Sequence, residues 1–295
     1  MSRHGEGQAR GATPAPRVAL VLGSGGVRSI AAVGIVDRLQ REGIRPDVVV
    51  GCSSGALFGA TIAMGMEAED ALATAVDLWS AELTQQKRWR AYPQLLAPRL
   101  AGFDVDFSLR DNGLIAERLQ SAFATLRLED LPTPLRVAAT DAVTGQQIVL
   151  TRGLVTQALL ASMAVPFIFP SVEVDGRRLV DGVISDPLPV HAARDADVVI
   201  ALGFDGAMPR RADRPSRMAA QATTALINNL MHARLDAARA GGQRIVSLEL
   251  ALERRVGLWE TGAMPYLCEA GRRAVEAQLP EIRAMVDGWA ECRVA

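Results

Sequence analysis

Twice near its start, the chain runs from a short valine-rich apolar segment into glycine and then into a longer helical pattern. Val18–Leu22 stops at Gly23-Ser24-Gly25-Gly26, and helical periodicity follows over 27–42, with Gly43 as its stop signal. Residues 47–50 stop at Gly51-Cys52-Ser53-Ser54-Gly55, and an apolar helix is expected over 56–64. Parallel strands cannot be joined by a tight hairpin, so each pair needs a crossover, usually a helix. Repeated strand–helix units therefore commit the chain to a largely parallel sheet covered by helices on both faces.

The rest of the sequence keeps that grammar. A further helix is expected over 68–83, an irregular excursion with Pro93 and Pro98 over 85–112, and a helix over 113–124. Strands at 136–140 and 147–150 flank the turn 141–145. A helix over 155–162 stops before Pro166, and 172–174 with 178–180 flank Asp175-Gly176, a hairpin signal. Val198–Leu202 reads as another buried strand, and 210–217 as an Arg/Pro-rich mobile loop; two helices and a short strand over 244–250 complete the chain. With no internal repeat and no linker, the expectation is one α/β domain over 17–295, a three-layer α/β/α sandwich around a mostly parallel central sheet. Residues 1–16, polar and rich in Gly and Pro, are expected to be a disordered tail.

Composition narrows the classes. The chain is 49% apolar and 22% charged with a net charge of −1, so no global field draws it to nucleic acid or anionic lipid, and no nucleic-acid partner is expected. Lys87 is the only lysine among many arginines, which reads as coding bias. Cys52, Cys268 and Cys292 form neither a CxxC pair nor a metal-ligand spacing, and so sparse and odd a set fits a reducing compartment. No apolar run approaches the roughly 20 residues of a spanning helix, and none has the shape of a signal-peptide core.

Two glycine turns carry chemistry. Gly51-Cys52-Ser53-Ser54-Gly55 is a GxSxG between strand and helix, the context in which a serine sits on a sharp strained turn with the positive end of a helix behind it. Ser53 is the candidate nucleophile; Ser54 lacks the flanking pattern. Gly23-Ser24-Gly25-Gly26-Val27-Arg28 lacks the third glycine of a dinucleotide fingerprint and the Gly-Lys-Ser/Thr ending of a P-loop. Two readings stay open for it: an oxyanion hole of bare amides, or a tight strand–helix turn.

Of the histidines, His4 lies in the tail, His191 follows a Pro-Leu-Pro-Val run, and His232 sits in a helical pattern. None stands in a loop after a strand and after a candidate acid, where an α/β-hydrolase triad would place it. The remaining candidate base is Asp181, at the end of an expected strand and followed by Gly182. A carboxylate there can take the serine proton if burial raises its pKa; a plain Asp-Gly turn is the competing reading.

In this order the segments resemble the patatin-like phospholipases, whose motifs are a Gly-rich loop, a GxSxG serine and a D-G-[GA] aspartate. Here these are Gly23–Ser29, Gly51–Gly55 and Asp181–Val183. The stretch 139–145 is similar to the family's A-T-D-x-x-T-G, and 161–170 to its A-S-x-A-x-P-x-x-F-P. The likeness runs from about 17 to 202 and is strongest to compact, single-domain bacterial members. It implies an acyl hydrolase with Ser53 as nucleophile, Asp181 as base and the Gly25 and Gly26 amides as oxyanion donors. Arg28 occupies the family's basic position, bracing the loop or meeting an anionic head group.

By the same resemblance the substrate is a phospholipid, lysophospholipid or simpler carboxylic ester, with no cofactor and no metal. Leu57, Phe58, Phe167 and Phe169 are candidates for an acyl channel or for plain core. A cytoplasmic protein is expected, with peripheral contact at the inner membrane face allowed and no protein partner implied. Ser24, Ser29, Ala32 and Val183 depart from the family pattern. Ser24, Ser29 and Val183 support the alternative of a fold-retaining, non-catalytic or regulatory protein with weak or no esterase activity.

Overall fold

The computed structural model describes residues 15–208, 211 and 213–289. His4, Cys292, most of the expected tail and part of the expected loop 210–217 lie outside the described residues. Eight strands form one sheet: β1 (Val18–Leu22), β2 (Val48–Cys52), β3 (Leu135–Asp141), β4 (Gln147–Leu150), β5 (Val172–Val174), β6 (Arg177–Asp181), β7 (Val198–Leu202) and β8 (Ile245–Ser247). Their order is β5-β6-β3-β2-β1-β7-β8, with β4 also paired to β3. From β3 to β8 every pairing is parallel, whereas β4, β5 and β6 join antiparallel at one side.

Side chains on a strand alternate between faces, so each central strand feeds two cores. In β1, Val18, Leu20 and Leu22 enter one cluster, and Ala19 and Val21 enter the other. The first cluster is covered by α1 (Ala31–Arg41), α2 (Ser54–Ala63), α3 (Ala68–Leu78), α5 (Gly113–Phe123), α6 (Val155–Ser162) and α8 (Met264–Asp287). On the second face lie α7 (Pro215–Ala240), through Met231 and Ala238, and the 3-10 turn Val190–Ala193. The result is a three-layer α/β/α arrangement whose five strands from β3 to the β8 edge are parallel.

Local differences from the sequence expectation have local causes. The helix after β1 opens as a 3-10 turn over Gly26–Ile30 before α1 begins. Instead of starting at 56, α2 begins at Ser54, directly after Ser53. The helix expected over 68–83 stops at Leu78, where Trp79 turns extended; its indole donates to Leu258 O at 3.0 Å and its ring stacks on Trp259 at 4.5 Å. Within the excursion 85–112 a short helix, α4 (Ala91–Leu96), forms. Of the expected loop 210–217, residues from Pro215 onward belong to α7, the proline sitting where a missing amide costs nothing. At the hairpin between β5 and β6, Asp175 and Gly176 both take positive φ, 49° and 71°, the conformation that Asp-Gly favours.

Close backbone contact ties α1 to α8. A Cβ on Gly34 of α1 would lie 1.8 Å from Cys268 O of α8, and one on Gly271 would lie 2.1 Å from Ala31 O. Arg272 adds an ion pair to Asp37 at 2.6 Å.

Candidate active site

Sheet register brings the two key residues level. Cys52 pairs with Ala138 and Ala139 with Asp181, so Ser53 and Asp181 stand on either side of β3, about two strand spacings or ~9.5 Å apart. Small Ala138 and Ala139 between them leave room for the side chains to converge. The Ser53 hydroxyl donates to Asp181 Oδ2 at 2.7 Å. Gly182 follows the carboxylate because a Cβ there would lie 2.6 Å from Ala138 O.

Ser53 has φ 55° and ψ −124°, a conformation that a non-glycine residue holds only when its surroundings impose it. The constraint is visible. Its amide donates to Ser162 Oγ at 2.8 Å, and that hydroxyl donates to Ala138 O at 2.6 Å, so the turn is pinned to β3. Ser162 lies inside one of the motifs quoted above, yet nothing in its spacing revealed this role.

Asp181 is fully buried. Burial lifts its pKa from 3.8 to about 7, opposed by hydrogen bonds from the Val183 amide (2.8 Å to Oδ1), from Ser53 and from Cys52. Such a carboxyl exchanges a proton near neutrality. Burial also pushes the Cys52 thiol up, helped by the charges of Asp181 and Asp186, so it stays a neutral thiol beside the pair. Val183, a departure from the family pattern, supplies the amide that fixes the carboxylate and leaves Asp181 within reach of Ser53.

The Gly-rich loop arches over the same space. Gly26 takes φ +61°, and a Cβ there would come within 2.8 Å of the Leu258 side chain. Gly25 does not present an open amide: its N–H donates to Ser54 Oγ at 3.1 Å. The Ser54 and Ser29 hydroxyls are 3.0 Å apart, and Ser29 Oγ donates to Gly23 O at 3.2 Å. Ser29 and Ser54 thus act as a buried latch between the loop and α2. Gly26 and Ser54 open helical turns, so their amides have no acceptor within those turns. Arg28 braces the loop, donating to Gly25 O at 3.2 Å and to Asp205 O at 3.3 Å, with its guanidinium 4.9 Å from the Phe204 ring centroid.

A cavity of about 210 Å³ opens on Ser53 and Asp181. The loop residues Ser24, Gly25, Gly26 and Arg28 form one wall, and Val165, Val183, Phe204, Ile227 and Leu258 supply its apolar lining. Leu57 and Phe58 are buried in the core, and Phe167 and Phe169 line a separate depression, so none of the four lines this cavity. Phe204 and Leu258 follow β7 and β8, where ligands gather in open α/β sheets, but no motif marked them. A larger cavity of about 760 Å³, around Arg136, His191 and Asp195, includes none of the expected site residues. His191 lies there beside Arg194, and His232 meets Asp205 at 2.9 Å. Among the described residues no group of three metal-ligating side chains occurs.

The family model described as patatin-like phospholipase matches residues 20–194 of the 295. The chain belongs to the patatin-like phospholipase family. That match supports lipid ester hydrolysis at the level of the family. An uncharacterized NTE family protein of Mycobacterium tuberculosis is 35% identical over 205 residues, 68% of this chain and 53% of the relative. Patatin-like phospholipase domain-containing protein 7 of Rattus norvegicus is 31% identical over 192 residues, 63% of this chain and 13% of that protein. The alignment with the mycobacterial relative thus takes in about half of that protein's length. Among solved structures, VipD from Legionella pneumophila aligns with a TM-score of 0.47 at 14% identity, over 90% of this chain and 67% of that one. No helix among the described residues is long and apolar enough to cross a membrane.

Proposed function

We propose that this patatin-like protein is a serine acyl hydrolase that cleaves carboxylic esters of phospholipids, lysophospholipids or related lipids through a Ser53–Asp181 dyad. The observation that carries the reading is the 2.7 Å hydrogen bond from a strained serine to a buried carboxyl whose pKa lies at about 7. Ser53 Oγ attacks the ester carbonyl while its proton passes to Asp181 Oδ2. The tetrahedral oxyanion is received by amides of the Gly-rich loop and of the α2 start. Gly26 and Ser54 are the direct donors, and Gly25 holds the loop in register through Ser54 Oγ. Asp181 returns the proton to the leaving alcohol, takes one from water as it attacks the acyl-serine, and gives it back to Ser53 Oγ as the acyl–oxygen bond breaks and the acid leaves. No metal or cofactor enters these steps. Arg28 serves as a brace, with three of its five N–H donors used on Gly25 O and Asp205 O.

The test is labelling with a fluorophosphonate probe alongside hydrolysis of p-nitrophenyl esters of graded chain length. Wild type should label and turn over, and Ser53→Ala should do neither. A wild-type protein that takes no label and cleaves no ester would establish the non-catalytic alternative.

A further inference from the structure

Away from Ser53, the excursion between α3 and α5 carries an exposed apolar surface. Gln86 to Asp111 leaves and rejoins the body at one place: Arg88 N donates to Leu109 O, Asp111 N donates to Gln86 O, and Lys87 bridges Arg110. Outside that neck, Trp89 is 74% exposed, Leu96 88% and Leu100 92%, with Tyr92, Leu95 and Val105 also open to solvent. Gln94 Nε2 binds Gly102 O at 2.9 Å and holds α4 against the return strand of the loop. The apolar side chains are therefore presented by a folded unit. Large contiguous apolar patches are rare on monomeric proteins and mark interaction surfaces.

Charge identifies what the surface fits. Over the whole excursion the sequence holds Lys87, Arg88, Arg90, Arg99 and Arg110 against Asp104, Asp106 and Asp111, with all three acids in the returning half, so the stretch 87–100 that carries the apolar side chains has four basic residues and no acid. Lys87, Arg90 and Arg99 are exposed, and among the described residues none of the three is in an ion pair. The chain as a whole has net charge −1, so this is a local excess. An exposed Trp and Tyr, flanking leucines and unpaired cations match the layered chemistry of a bilayer surface: anionic head groups outside, hydrocarbon beneath, and an amphipathic zone for aromatic rings between.

The excursion adjoins the segment that walls the site. Leu109 and Arg110 donate to Phe167 O and Ile168 O, both at 2.8 Å, and Phe107 and Phe167 rings meet edge-on at 6.4 Å. Two residues before the exposed Phe167, Val165 lines the Ser53 cavity. We infer that the surface formed by Trp89, Tyr92, Leu95, Leu96 and Leu100, framed by Lys87, Arg90 and Arg99, docks this protein on anionic lipid bilayers. Its use in delivering substrate to Ser53 rests on the hydrolase reading; adsorption itself does not.

The two are separated by measuring adsorption with the Ser53→Ala protein, which leaves the lipid intact. Co-flotation is read with vesicles of phosphatidylcholine, with and without phosphatidylglycerol, together with tryptophan emission. Strong binding to the phosphatidylglycerol vesicles is expected, weakened by salt at about 1 M. Leu96→Asp with Leu100→Asp should reduce binding at least ~10-fold, as should Lys87→Ser with Arg90→Ser and Arg99→Ser on anionic vesicles. With Ser53 restored, the leucine variant should cleave a soluble short-chain p-nitrophenyl ester at the wild-type rate, which also reports a folded protein. Absence of binding to anionic vesicles, or binding that neither set of changes reduces, overturns the proposal. So does a concentration-dependent dimer, lost in the leucine variant, that binds no vesicles.

Discussion

Ser53 Oγ and Asp181 Oδ2 lie 2.7 Å apart across β3, and the carboxyl has no histidine between it and the hydroxyl. In the proposed mechanism one group does what a triad divides between two: the aspartate must be basic enough to take a proton and acidic enough to return it. Burial provides that balance by lifting its pKa to about 7.

Replacing either partner should therefore remove turnover while sparing the fold. Ser53→Ala and Asp181→Asn are each expected to lower ester cleavage at least ~10³-fold, with circular dichroism unchanged. Asp181→Asn should also lose fluorophosphonate labelling, because the hydroxyl loses its proton acceptor. Rapid labelling in that variant would show that Asp181 is not the base.

The pH profile follows from the same group. The base must be ionised, so kcat/KM should fall about tenfold per unit below pH ~7 and level off above it. An ordinary carboxylate would hold the profile flat down to about pH 4. Asp186 is also raised to about 7, so the profile should be repeated in Asp186→Asn. There the inflection is expected to stay.

Much of this was legible in the sequence because it is local. The strand–glycine–helix pattern at Val18–Gly26 and 47–55 dictated the two central strands and the turn bearing Ser53, and Asp-Gly marked both the hairpin and the end of β6. What was not legible depends on partners distant along the chain. Ser162 binds the Ser53 amide from 109 residues away, and Leu258 walls the cavity because Val27 N and the Trp79 indole both donate to its carbonyl. Ser54, set aside as a rival serine, takes the Gly25 amide instead. Its hydroxyl has no sequence signature, since it stands at the variable position of GxSxG, where any residue satisfies the motif.

Ser54→Ala tests which amides matter. Loss of the latch should loosen the Gly-rich loop and cost about 1 kcal/mol of transition-state stabilisation, a roughly fivefold lower kcat with labelling of Ser53 retained. Were the Gly25 amide a direct donor, releasing it from Ser54 would leave kcat unchanged or higher.

Asp186 gives a stability prediction with a definite sign. It is fully buried, Gln147 donates to Oδ2 at 2.8 Å, and Oδ1 has no partner. Burial raises its pKa from 3.8 to about 7, opposed chiefly by the charge of Arg234. A carboxyl raised on folding binds more protons in the native state, so its contribution is fully present below about pH 4 and is lost as pH rises through 7. Asp186→Asn removes that loss. Thermal unfolding should show the variant stabilised relative to wild type, with a gain larger at about pH 8 than at about pH 5 by on the order of 2 kcal/mol. An equal gain at both values would mean that the carboxyl does not titrate there.

The strand β7 begins four positions beyond residue 194, where the family match ends, and it is hydrogen-bonded along the whole of β1. A fragment trimmed to the matched span would leave the Gly-rich loop hanging from an unprotected sheet edge, with Phe204, Ile227 and Leu258 gone and the serine opening onto bulk water. The recognisable motifs write the reagents, but the last third of the polypeptide builds the vessel in which they can be used.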